Sequence, residues 1–134
     1  MGSGAAVAAL VAATAFGLVR RWRDGRSRAV DDGRLRSDDL GSELGERATL
    51  VQFSTAFCAP CRTTRRILSE VAGMIDGVVH VEVDAEANLG LVRRLEIVRT
   101  PTVLVLDSGG RIVRRAAGAP RKVDVIAALG TAVG

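Results

Sequence analysis

Cys58 and Cys61, in the stretch "FSTAFCAPCRTTRR" from Phe53 to Arg66, are the two cysteines of the chain. A pair at this spacing serves metal ligation, a structural crosslink or reversible thiol–disulfide exchange. A structural zinc site wants four Cys or His ligands, and beyond these two the chain offers one histidine, His80, so no metal is expected. A crosslink would close so short a loop that little unfolded-state entropy is removed. Exchange has a mechanism behind it. If a helix starts at Ala59-Pro60, Cys58 sits at the positive end of its dipole with free amides directed at the sulfur. Pro60 then lies early in the helix, where its missing N–H costs nothing. Cys61, one turn inside, would be buried and less acidic, and Arg62 adds positive charge beside it. Such a pair divides the work: Cys58 forms a mixed disulfide with the substrate, and Cys61 resolves it.

The elements that must hold this pair follow from hydrophobic spacing. "TLVQFS", Thr49 to Ser54, reads as a short apolar strand leading toward the cysteines. Ile67, Leu68, Val71 and Ile75 then recur at helical spacing. In "VVHVEVD", Val78 to Asp84, Val79, Val81 and Val83 alternate against His80 and Glu82, which gives a second strand with His80 on a solvent face. A short helix is expected over Asn88 to Leu95. "PTVLVLDSGGRIVRRAAG" reads as a hairpin turning at Ser108-Gly109-Gly110. Pro120 is expected to open a terminal helix with Val123, Ile126, Leu129 and Val133 on one face. Ahead of the first strand, "RLRSDDLGSEL" gives an extended piece and a helical turn with Ser37 as N-cap. The order βα, βα, ββα predicts an α/β fold, a mixed sheet with helices on both faces. With only 3% aromatic residues the core must be built from Val, Leu, Ile and Ala.

A strand feeding "CAPC", then "RTPTVLVLDSGGRIV", then Gly118 and a terminal helix together resemble the thioredoxin fold, and specifically a membrane-anchored thioredoxin-like protein of the thioredoxin/TlpA group, from about Arg34 to Gly134. The resemblance implies a cis-proline turn at Thr100-Pro101 lying against the cysteines. It implies a substrate surface of Phe57, Ala59, Pro60, Thr100, Pro101 and Gly118, with Thr100 offering its backbone to an extended chain. The implied activity is thiol–disulfide oxidoreduction, reducing protein disulfides through Cys58 and Cys61 without a bound cofactor. A thioredoxin reductase or a transmembrane electron carrier would return the electrons.

Three positions depart from that pattern. Phe57 stands where the family usually has tryptophan, and Ala59-Pro60 replaces Gly-Pro. Gln52 stands where thioredoxin carries a buried aspartate that relays protons to the resolving cysteine. An amide does no acid–base work near neutral pH. Gln52 therefore motivates an alternative reading, an adapter of this fold with weak turnover, beside that of a disulfide oxidase or isomerase. His80 falls near a family lysine and is a conceivable substitute base, but its alternation with Glu82 favours the solvent-facing reading.

From Gly2 to Val19 the chain carries no charge, and the run ends at "RRWRDGRSR". At ~1.5 Å per residue it barely crosses a hydrocarbon core of ~30 Å, with Arg20 able to snorkel and Trp22 placed for the interface. Residues 1–21 are therefore expected to be a single transmembrane anchor, 22–33 a basic polar tether and 34–134 the thioredoxin-like domain. A cleaved signal ending near Ala13-Thr14-Ala15 competes, but the positive leading region of such signals is missing. The net charge of +4 is concentrated in Arg20, Arg21, Arg23, Arg26 and Arg28. This suits a membrane boundary better than a nucleic-acid surface, and by the charge rule the domain is expected on the cytoplasmic side, the alternative being the extracytoplasmic side, toward which the TlpA-like resemblance leans.

Overall fold

The computed structural model describes residues 7–18 and 33–133. Contacts divide the chain into two units, Met1–Gly33 and Arg34–Gly134. In the first, residues 7–18 form helix α1, with Val7, Leu10, Val11, Phe16 and Leu18 all exposed. No helix among the described residues is long and apolar enough to cross a membrane. The rest of the expected anchor, residues 1–6 and 19–21, and residues 22–32 of the tether lie outside the described residues.

The second unit runs α2 (Ser37–Leu40), β1 (Ala48–Ser54), α3 (Ala59–Met74), β2 (Val78–Asp84), α4 (Leu89–Arg94), β3 (Thr102–Asp107), β4 (Ile112–Ala117) and α5 (Lys122–Val133). The sheet order is β2-β1-β3-β4. β1 pairs parallel with β2, across the α3 connection that a parallel pair requires, and antiparallel with β3, which pairs antiparallel with β4. Every residue of β1 is buried, which is why it reads as an apolar run rather than an alternating one.

Period-two geometry splits the core into two layers. Ala48, Leu50, Val103 and Val105 pack with Leu68 and Val71 of α3 and with Val125, Ala128 and Leu129 of α5. On the other face Val51, Phe53, Val81, Val83, Leu104 and Leu106 pack with Leu35, Leu95 and Ile97, with Leu91 and Val92 of α4 against them. Each fully buried aliphatic or aromatic side chain contributes about 1.5–3 kcal/mol relative to exposure. The mixed sheet with helices on both faces is thus as expected.

Three local expectations change. Ser37 is the first residue of α2 rather than its cap: Arg36 takes the N-cap position and its N–H donates to Asp39 Oδ2 at 2.8 Å. The terminal helix starts at Lys122, and its buried stripe is Val125, Ala128 and Leu129, leaving Val123 64% and Ile126 41% exposed. α5 is apolar along most of its length, so periodicity alone does not choose a face; the sheet selects the i, i+3, i+4 stripe that meets Val103 and Val105. His80, expected to face solvent, is half-buried and hydrogen-bonded to both β1 and α3. The polar parity of β2 lies on the sheet face that α3 covers.

Candidate active site

The cysteines sit where β1 hands the chain to α3. Cys58 is the N-cap of α3, in extended conformation, and its Sγ accepts the Cys61 N–H at 3.2 Å. Pro60 occupies the first turn, where backbone N–H groups have no intrahelical partner to lose. Cys58 and Cys61 are joined as a disulfide, with Cα atoms 5.2 Å apart. Cys58 is half-buried while Cys61 is 1% exposed, so an incoming sulfur has access to Cys58 and not to Cys61. The first turn of α3 holds no acidic residue. When the pair is reduced, helix dipole and Cys61 amide together stabilise negative charge on Cys58.

The other residues expected at the site come from the loop before Cys58, the first turn of α3, the loop before β3 and the turn after β4. Phe57 is fully exposed at the tip before Cys58, and Ala59 and Pro60 are exposed beside it. The Thr100-Pro101 peptide is cis. Thr55 Oγ1 and Thr100 Oγ1 share a hydrogen bond at 3.2 Å, which ties the loop before the cysteines to the loop before β3. Thr102 Oγ1 donates to Arg99 O at 2.6 Å, and Gly118 N donates to Pro101 O at 2.7 Å. Gly118 has φ +97, and a Cβ there would meet the Arg99 guanidinium at 2.7 Å, so glycine is required by backbone and space alike. Thr55, Val98 and Arg99 were not among the residues expected here. Exposed Val98 and Arg99 immediately precede Thr100, and the signal for them is adjacency to the Thr-Pro dipeptide.

Behind the cysteines lies a polar layer that the sequence only hinted at. Gln52, fully buried, donates from Nε2 to Cys61 O at 2.8 Å and to Ser54 Oγ at 2.9 Å. Its Oε1 faces His80 Nε2 at 3.1 Å, and His80 Nδ1 faces Ser69 Oγ at 3.1 Å. Ser54 Oγ donates to Glu82 Oε2 at 3.3 Å, and Glu82 accepts from Arg65 Nε at 2.8 Å. No buried side-chain polar atom among the described residues lacks a partner, so Gln52 incurs no unpaired desolvation cost. Burial holds the His80 imidazole below its ordinary value, opposed by the nearby Glu82 carboxylate and assisted by Arg65. The ring is therefore neutral at pH 7.

The arrangement performs dithiol exchange: an accessible, charge-stabilised sulfur, a buried partner one helical turn away, and an exposed apolar tip beside them. A thioredoxin family model matches residues 35–131. The thioredoxin of Mycolicibacterium smegmatis is 31% identical over 113 residues, covering 82% of this chain and 97% of that protein. The protein of Mycobacterium leprae named bifunctional thioredoxin reductase/thioredoxin is 30% identical over 98 residues, 72% of this chain and 20% of its own length. The X-ray structure of Fasciola hepatica thioredoxin superposes with a TM-score of 0.57 at 23% identity, covering 66% of this chain and 83% of that one, which supports the fold. With that fold, that span and a disulfide-capable pair at the helix start, the chain belongs to the thioredoxin family and is a thiol–disulfide oxidoreductase.

Proposed function

We propose that the protein reduces disulfides of protein substrates while tethered to the cytoplasmic face of a membrane. The observation that carries the reductase reading is the asymmetry of the pair: Cys58 accessible at the helix cap, Cys61 buried beneath it. The Cys58 thiolate attacks one sulfur of a substrate disulfide, forming a mixed disulfide and releasing the first substrate thiolate. Cys61, giving up its proton, then attacks Cys58 Sγ, the second substrate thiolate leaves, and two electrons have passed to the substrate. Exposed Phe57, Ala59 and Pro60 form one side of the substrate surface and the partly exposed Thr100 and Gly118 the other, while Pro101 is buried and holds the cis turn at Thr100. The electrons reside in the cysteines, and no cofactor is invoked.

A thioredoxin reductase is the proposed source of electrons. Its plausibility rests on the family and on the M. leprae relative, whose name joins the two activities. The tether reading rests on the uncharged run from Gly2 to Val19, on its arginine flank, and on the exposed apolar side chains around α1. A side-specific experiment tests it. After mild reduction, intact cells are treated with a membrane-impermeant thiol reagent. Protection of Cys58 until lysis, with the protein in the membrane fraction, is expected. Labelling without lysis would reverse the orientation and replace the reductase with a transmembrane electron carrier. Recovery in the soluble fraction would remove the anchor.

A further inference from the structure

The polar residues between β1, β2 and α3 form a continuous line that the exchange steps leave unused. The Cys61 carbonyl can only accept, so the Gln52 amide must present its NH2 to it, and this fixes which end of the amide faces which neighbour. Both amide hydrogens are then committed, to Cys61 O and Ser54 Oγ. Oε1 is left to accept, and its partner is His80 Nε2. Nε2 therefore carries a hydrogen in every charge state of the ring.

The remaining nitrogen, Nδ1, faces the hydroxyl of Ser69. A hydroxyl donates to a bare nitrogen and accepts from a protonated one with only a rotation of its hydrogen. His80 can thus gain or lose a proton without breaking a hydrogen bond, and what changes is charge. Positive charge on the ring polarises the Gln52 amide and strengthens its hold on the Cys61 carbonyl, which favours negative charge in the cysteine pair. Reduction creates that charge, because the disulfide is neutral and the reduced pair holds a thiolate on Cys58 at the helix cap.

We propose that His80 is a redox-linked positioning residue: acting through Gln52, it binds a proton more tightly when Cys58 and Cys61 are reduced, and its protonation in turn favours their reduction. The reciprocity is a thermodynamic requirement. Reduction by a dithiol such as dithiothreitol transfers two electrons and closes the ring of the oxidised reductant. Of the two thiol protons released, one ends on Cys61 Sγ and the other is shared between solvent and His80 Nδ1, leaving Cys58 as thiolate. Glu82 on β2 and Arg65 from α3 are the charged groups that act on the ring, and they pair with one another at 2.8 Å. From β1 the groups beside it are uncharged: Gln52, its hydrogen-bond partner, and Leu50, its partner in register. Burial sets the titration on the acid side of the ordinary histidine value, so the coupling is small at pH 7 and grows as pH falls through that lowered value.

His80 is the only histidine of the chain, so its ring protons report without assignment ambiguity. The test is an NMR titration of the full-length chain in the disulfide and the dithiol states. The expected result is a higher midpoint in the reduced protein. A second measurement follows the thiol–disulfide equilibrium against a dithiothreitol redox buffer from about pH 5 to 8. Relative to His80→Gln, whose amide Nε2 can stand in for the imidazole Nε2 and still donate to Gln52 but does not titrate, the wild type should gain an extra preference for the reduced state toward acid pH. Equal midpoints in the two states, or superimposable pH profiles for wild type and variant, would overturn the proposal. The inference rests on the pair cycling between disulfide and dithiol. Equal midpoints in a protein that cycles overturn the inference alone, whereas a pair that dithiothreitol cannot open overturns the oxidoreductase reading as well.

Discussion

Cys61→Ser converts the protein from a catalyst into a trap. The accessible Cys58 still attacks a substrate disulfide, but the buried group that would displace the substrate is a hydroxyl, which is no nucleophile toward sulfur near neutral pH. Turnover falls to the rate of the free reductant, while a covalent adduct through Cys58 accumulates and is released by excess dithiol. The check is non-reducing electrophoresis after mixing the reduced variant with a disulfide-bonded protein. A band at the summed mass that disappears on adding dithiothreitol is expected, and none should form with the double variant Cys58→Ser/Cys61→Ser. The asymmetry that makes the effect so large is structural, since the cap position exposes one sulfur and the first turn buries the other.

Phe53→Ala carries the largest expected effect on stability. Phe53 is fully buried in the last turn-facing stretch of β1, packed in the cluster of Val51, Val81, Val83, Leu104 and Leu106 beneath Leu35 and Leu95. Truncating a buried phenylalanine costs about 3–5 kcal/mol, from lost transfer energy and the cavity left behind. Domains of this size are stable by about 5–15 kcal/mol, so the variant loses a large part of its margin. Urea unfolding should show a much lower midpoint with an unchanged slope. Val123→Ala, on the exposed side of α5, should stay within about 0.5 kcal/mol of wild type. Equal losses in both variants would mean that α5 packs on the Val123 face that its sequence periodicity suggested.

The contrast between those two sites marks where sequence was informative. β1 and the start of α3 were legible because each carries a strong local signal: an apolar run for a strand buried on both faces, and proline just inside the helix after Cys58. The hairpin was legible from Ser108-Gly109-Gly110. The buried face of α5 was not, because nearly every position is apolar and the choice is made by Val103 and Val105 across the chain. The polar layer behind the cysteines was hidden for a related reason. Alternation in β2 separates His80 and Glu82 from Val81 and Val83, but which face water reaches depends on α3 lying over the parity that His80 shares with Val78. Only the parallel register, with Leu50 opposite His80 and Gln52 opposite Glu82, brings these side chains beside Gln52 and Ser54. No signal within β2 alone encodes it.

That layer also changes the meaning of Gln52. Its substitution for a carboxylate reads from sequence as the loss of a proton carrier. In the structure it is a fully hydrogen-bonded buried amide that links Cys61 to a titratable ring. A protein retaining only the groove would have no need to keep the resolving sulfur so placed.

Catalysed reduction of insulin disulfides by the full chain, with dithiothreitol as electron donor, decides whether the Cys58–Cys61 pair turns over. Wild type should accelerate precipitation of the released insulin chains well beyond dithiothreitol alone, and Cys58→Ser should abolish the acceleration. A wild-type rate equal to that of dithiothreitol alone, or an undiminished rate in Cys58→Ser, would contradict turnover by the pair.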